Sequence, residues 1–243
     1  MLPILAFLWT AAFESQCSAE VSAETLLQQA IAKVRALPSY TVEFVRYDDS
    51  SNSHSVVHHR IHFVAPSLYH IDELEPWKQS VRASDGHVDH IVGCTKLSQI
   101  YNGKTRWMYS VDRKQYLQFD SLNEDAKVEF FPSPLPYPEV EYLPDETLLL
   151  EGHPRQCAVI RARRSGGREA TFWIDPAQGL IVKWMVGSRG SNDGLTVEIT
   201  SMDTHPVLSD SLFRFEPESD WQKTTAFSCP GQANLPAQKT SDR

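Results

Sequence analysis

The chain has 243 residues, 41% hydrophobic and 22% charged, with 11 Gly and 15 Pro, enough apolar material for one sizeable core or two small ones, which excludes a disordered or collagen-like chain. Its 23 Lys and Arg against 31 Asp and Glu give a formal net charge of -8. No basic stripe offsets that balance, which speaks against binding a nucleic-acid backbone over a broad surface.

The one long apolar run, Leu2 to Phe13, falls short of the roughly 20 residues that cross a bilayer as a helix. It reads as the apolar region of a secretory signal. Cys17-Ser18-Ala19 follows with small residues where a signal peptidase reads, so residues 1–19 are expected to be a signal peptide cut before Glu20. No Lys or Arg precedes the run, the one part of the signal pattern that is missing. The mature protein is expected to be exported, periplasmic or equivalent, and soluble. Loss of Cys17 leaves Cys94, Cys157 and Cys229, an odd number with no C-x-x-C spacing, so neither a thioredoxin-like motif nor a zinc ribbon is readable. The pairing stays open. If one disulfide forms, Cys94 with Cys157 is preferred, because Cys229 lies in a polar tail at residues 223–243 that is expected to be mobile.

From Ser22 to Pro38 the chain opens on a capping Ser, has Glu24 in the first turn, repeats Leu27, Ala30, Ile31, Val34 and Leu37 at helical spacing, and stops at Pro38, which predicts an amphipathic helix. The period then changes to two. Tyr40, Val42 and Phe44 alternate with Thr41, Glu43 and Val45, and Val57, His59, Ile61 and Phe63 alternate with His58, Arg60 and His62. Two paired strands are predicted, joined by a polar loop from Asp48 to His54. Leu68 to Asp72 is a third short strand. Asn102-Gly103 is expected to fill both positive-φ positions of a tight hairpin between Ser98 and Tyr109, and a turn at Asp112 to Lys114 leads into Tyr116 to Phe119. Five prolines between Glu129 and Pro144 predict a loop that is neither helix nor inner strand, long enough for a lid or an edge cover. Cys157 to Arg164, Ala170 to Asp175, Leu180 to Gly187 and Thr196 to Met202 form an antiparallel meander. A capped turn at Ser209 to Leu212 and a last strand, Phe213 to Phe215, follow.

The sum is a mainly antiparallel α+β domain over residues 20–222, with about nine to eleven strands in a strongly curved sheet or incomplete β-barrel, and an N-terminal helix and short helices against its concave face. A curled sheet that a helix only partly fills leaves a hollow. Tyr40, Phe44, Phe63, Trp107, Tyr109, Phe172 and Trp184 are the candidate lining of an apolar cavity for acyl chains.

Signs of catalysis are absent: no G-x-S-x-G, no H-E-x-x-H and no phosphate loop, and the paired carboxylates read as solvated charges. No catalytic residue and no cofactor is assigned. His54, His58, His59, His62, His87 and His90 form the one cluster of ligand-type residues. On a strand His58 and His62 stand about 13 Å apart, so a metal would need other partners. His87 and His90, with Asp89 and Cys94, are the weak candidates.

Four segments resemble the periplasmic lipoprotein-carrier superfamily (LolA-like, with LolB, LppX-type proteins and the lipid-sensing domain of RseB). They are Tyr101 to Tyr109, similar to its D-G-k-t-l-W-x-Y hairpin; Phe63 to Tyr69, similar to F-x-x-P-g-r-f; Phe172 to Leu180, similar to D-p-x-t-G-L; and Leu212 to Pro217, similar to l-F-x-F-x-P. The resemblance implies an open β-barrel closed by helices around an apolar cavity that holds acyl chains. It also places His70 at the lid-contact position, where carriers have an Arg, so that contact is lost or becomes pH-dependent. Three functions follow: a carrier of lipid or lipoprotein acting with a membrane-anchored donor or acceptor, an RseB-like envelope sensor acting through a protein partner, and a metal-dependent accessory enzyme built on His and Cys.

Overall fold

The computed structural model describes residues 21–83, 85–93, 95–120, 130–131, 137–164, 167–188 and 193–227. The expected signal peptide, Cys94, Cys229 and most of the C-terminal tail lie outside them.

Helix α1 (Ala23–Arg35) starts where Ser22 Oγ accepts from the Thr25 amide at 3.2 Å, with Glu24 in its first turn and Lys33 and Arg35 in its last, charges placed to complement the helix dipole. Leu27, Ala30, Ile31 and Val34 form its buried stripe, which lies on the sheet. Fourteen strands follow among the described residues: β1 (Ser39–Ser50), β2 (Ser53–Val64), β3 (Leu68–Glu73), β4 (Lys78–Arg82), β5 (Val88–Val92), β6 (Ser98–Tyr101), β7 (Thr105–Ser110), β8 (Gln115–Asp120), β9 (Glu139–Leu150), β10 (His153–Arg163), β11 (Arg168–Asp175), β12 (Leu180–Ser188), β13 (Gly194–Asp203) and β14 (Gln222–Lys223). They form one sheet in the order β14-β8-β7-β6-β3-β2-β1-β13-β12-β11-β10-β9, with β4 and β5 branching from β2. Every pairing is antiparallel except β14 on β8.

The expected curved, unclosed sheet is what forms. Its curl is visible in one bond. Glu151, in the turn between β9 and β10, donates its amide to Thr200 O of β13 at 3.0 Å, although four strand steps separate β9 from β13 in the sheet order. Thr200 is available because β1 skips it: Glu43 pairs with Ser201 and Phe44 with Ile199, a bulge that releases a carbonyl and bends the strand.

Several expectations are corrected. Asp48 to His54 is not a loop, since the β1–β2 ladder continues to Ser50 opposite Ser53; backbone pairing does not require apolar side chains. The Asn-Gly turn sits one residue later than expected. Gly103, with φ 88, and Lys104 are its central pair, while Asn102 precedes them and its Oδ1 accepts from the amides of Lys104 and Thr105 at 3.1 and 3.0 Å, as in a turn with Gly in the first central position. The proline-rich segment turns into β9 at Glu139, with Pro144 inside the strand. Two conditions permit this: β9 is the sheet edge, and Pro144 and Asp145 together face Ala158 where the register shifts between Cys157 and Val159, so no ladder bond is lost to the missing N–H. Phe213 to Phe215 is not a strand; Phe213 closes a 3-10 turn at Asp210–Phe213 capped by Ser209. Among the described residues α1 and this turn are the only helical elements, fewer than the short helices expected.

Cys157 is buried and carries a free thiol, whereas Cys94 was its preferred partner if one disulfide formed. Burial in the first place, then the neighbouring Asp175, pushes its pKa up to about 11.

Candidate functional site

The aromatic residues expected to line one cavity lie on two faces of the sheet. In an antiparallel ladder directly opposed residues share a face, and the register carries Tyr40 to Phe63, Tyr69, Tyr101 and Arg106 in turn across β1, β2, β3, β6 and β7. The neighbouring row, Thr41, His62, His70, Ile100 and Trp107, points the other way. Tyr40, Phe44 and Phe63 therefore belong to one face, and Trp107 and Tyr109 to the opposite one.

The first face is the one α1 covers. Phe44 opposes Ile199, and the row Val197, Trp184, Phe172 and Ile160 extends it across β13 to β10. Phe172 and Ile160 are fully buried, with Tyr40, Phe44 and Trp184 nearly so. The helix lies against β9, β11 and β12. Over β1, β2 and the middle of β12 the cover is different: two rings from the proline-rich segment. Phe130 sits 4.5 Å from Phe44 and 5.2 Å from Trp184, and Phe131 sits 5.6 Å from Tyr40 and 5.8 Å from Trp184. Tyr40 stacks on Phe63 at 4.8 Å, and Tyr137 meets Phe172 edge-on at 5.9 Å. His59 also faces this layer, stacked on Phe44 at 5.0 Å, with Nδ1 buried and unpartnered. Burial holds its imidazole down to about 4, with Arg46 adding to the effect.

The opposite face carries a separate cluster. Phe215 stacks on Tyr109 at 4.6 Å, touches Trp107 and Tyr116 at 6.4 and 5.4 Å, and meets Trp221 at 5.3 Å. The segment holding Phe215 and Trp221 is fastened by β14, by the Thr224 amide on Tyr116 O at 2.8 Å, and by the Lys114–Asp220 ion pair. Beneath it lies a polar knot. His70 Nε2 is 3.1 Å from the Tyr109 hydroxyl and 3.0 Å from Asp72 Oδ1, which accepts from Ser98 Oγ at 2.6 Å. Burial alone would raise the Asp72 carboxyl, but the bonds from His70 and Ser98 outweigh it and hold it below the usual range.

This knot resembles a catalytic relay in composition only. A relay needs the acid on one imidazole nitrogen and the nucleophile on the other; here both partners meet Nε2, and Nδ1 is buried without a partner. Burial pushes the Tyr109 phenol up to about 12, away from a nucleophile. His70, expected at a lid contact, faces away from Phe130 and Phe131 and is held by the knot instead. The metal candidates do not gather either. His87 pairs with Asp89 at 3.2 Å in the open, and His90 Nδ1 bonds Ser80 Oγ at 3.0 Å. Cys94 lies outside the described residues, and no three His, Cys, Asp or Glu side chains among those described form a metal-holding group. No helix among them is long and apolar enough to cross a membrane. The rings of Phe130, Phe131, Tyr137 and Phe215 were missed as site residues; for Phe130 and Phe131 the available signal was a pair of adjacent Phe residues in a proline-rich segment.

No protein-family model matches the chain, and no curated protein matches it. Among solved structures it is similar to the MucA/MucB complex of Pseudomonas aeruginosa, at 14% identity and a TM-score of 0.46 over 80% of this chain and 61% of that one. It is similar to LprF from Mycobacterium bovis at 11% identity and a TM-score of 0.47, over 76% and 94% of the two chains. A LolA-superfamily protein from Nitrosomonas europaea is similar at 11% identity and a TM-score of 0.36, over 81% and 99%.

Proposed function

We propose that this is an exported, non-catalytic binding protein that holds an acyl chain of a lipid or lipidated protein on the helix-covered face of its sheet and carries or presents it between membranes, acting with a membrane-anchored donor or acceptor. One observation carries the reading: among the described residues, the aromatic layer of Tyr40, Phe44, Phe63 and Trp184 is roofed on this side by two side chains, Phe130 and Phe131, and by no strand or helix. Side chains can be replaced by a ligand without breaking backbone hydrogen bonds. Each buried phenyl ring contributes about 1.5–3 kcal/mol and each buried methylene about 0.8 kcal/mol, so roughly four to eight methylenes compensate for displacing both rings. Acyl chains of ordinary length exceed that. The geometry of the His70 knot supports the non-catalytic part of the reading.

The test is native mass spectrometry of the full chain, purified without a lipid-stripping step, before and after extraction with organic solvent. Added mass that the solvent removes and that fragments to an acyl chain is the expected result. Phe130→Ala with Phe131→Ala should retain at least as much of it, because the roof no longer competes. A protein that emerges bare, and that takes up no dodecanol when this is added back, overturns the reading.

A further inference from the structure

The apolar layer ends at one edge in two arginines. On β10 the core-facing row Ile160 and Ala162 continues to Arg164, and on β11 the row Phe172 and Ala170 continues to Arg168; the register opposes Ile160 with Phe172 and Ala162 with Ala170, and the Arg164 amide donates to Arg168 O at 2.9 Å. Strand alternation therefore sends both side chains to the face of the aromatic layer, with Arg168 about 13 Å along the strand from Phe172. At the end of these strands they border a depression of about 310 Å³ that Glu139, Arg163 and Glu169 line from the opposite face, with Pro138 and Gly167.

The charges of this depression are unequally matched. Arg163, on the opposite face, is saturated: it pairs with Glu169 at 3.0 Å, Glu141 at 3.2 Å and Glu139 at 3.4 Å, which uses both carboxylates that line the depression. Arg164 and Arg168 have no carboxylate partner among the described residues. Arg164 lies over the Tyr137 ring at 5.3 Å, and its Nε is buried with no acceptor. A guanidinium N–H removed from water without an acceptor is costly, and a planar fork of donors suits a phosphate or carboxylate. Tyr137 links the two regions, its ring under Arg164 and in T-shaped contact with Phe172.

We infer that Arg164 and Arg168 form an oxyanion subsite, receiving the phosphate or carboxylate of an acidic amphiphile whose chain runs under Tyr137 into the aromatic layer. This rests on the acyl-chain reading above and adds to it the charge of the ligand. Arg164 supplies the buried Nε–H and holds its plane on Tyr137; Arg168, the more exposed, closes on the anion from the neighbouring strand.

The experiment compares dodecyl phosphate, dodecanol and inorganic phosphate by isothermal titration calorimetry on the full chain, with the amphiphiles kept below micelle-forming concentrations. The unaltered protein should bind dodecyl phosphate about tenfold or more tightly than dodecanol, as a charge-assisted contact implies. Arg164→Gln with Arg168→Gln should bring the two within about twofold while dodecanol binding stays the same, and Arg161→Gln, on the opposite face, should leave the ratio as it was. A ratio near one in the unaltered protein, or one that survives the double substitution, overturns the subsite while dodecanol binding keeps the acyl-chain reading. Absence of dodecanol binding overturns the acyl-chain reading itself. Binding of inorganic phosphate that needs both arginines and gains nothing from the dodecyl chain overturns the link to a lipid and makes the pocket a site for the free anion.

Discussion

The two faces of the sheet are both aromatic, yet they are built differently. The helix-covered face, around Phe172 and Trp184, is a continuous apolar layer fed by six or more strands and by α1. The opposite face, around Tyr109, is a small cluster over a polar knot, and it is covered by a strap, Phe215 to Trp221, that the chain adds after the last long strand. Large apolar rings alone therefore do not distinguish the proposed acyl-chain layer. What sets the two apart is the polar content beneath the rings and the described contacts of the cover: the strap is fastened by backbone bonds through β14, while Phe130 and Phe131 meet β1 and β12 through ring contacts.

The sharpest way to break this contrast is at the first face. Phe172→Ala, at a fully buried position, should cost about 3–5 kcal/mol in urea denaturation; a loss under about 1 kcal/mol would mean that this layer is not the core. The next effect is one of pH. His59 is held down to about 4 in the folded protein, whereas in the unfolded chain it protonates near 6.5. Between those values only the unfolded state takes the proton, so stability is complete above about pH 6.5 and falls as the pH drops toward 4, by about 2 kcal/mol between pH 7 and pH 5. His62, lowered chiefly by burial and then by His70, acts in the same direction on the other face. His59→Phe should therefore flatten most of the slope, leaving the His62 part, when denaturation midpoints are compared at pH 7 and pH 5.

On the strap side the effects are smaller. Phe215→Ala should cost about 1.5 kcal/mol and leave acyl-chain binding unchanged in the calorimetric titration with dodecanol; a weakened titration would mean that the two faces are coupled. Tyr109→Phe removes one hydroxyl from the knot and should cost about 1 kcal/mol in the same denaturation assay, again without effect on binding.

Much of this was legible in the residues. Ser22, Glu24 and the Leu27-to-Val34 spacing specified α1, and the alternations on β1 and β2 and in the β10–β13 meander specified strands. β9 escaped because Pro144 and the four prolines before Glu139 argued against any strand, and whether a proline is tolerated depends on the strand's place in the sheet. Its hairpin was also disguised: Glu151 and Gly152, at φ 54 and 76, take the positions that Asn-Gly was expected to signal elsewhere. Cys157 looked like a disulfide partner because counting cysteines says nothing of how near their side chains come.

By itself the sequence determined the helix, most of the strands and the aromatic inventory, because caps, prolines and periods of 3.6 or 2 act over a few neighbouring residues. Tertiary structure decided which aromatics share a face, since parity across β3, β6 and β7 depends on a register that links residues far apart in the chain. It also decided that Arg164 and Arg168 end the apolar rows without carboxylate partners among the described residues, while Arg163, one residue from Arg164, is saturated. That difference comes from strand alternation, which sends adjacent residues into opposite environments.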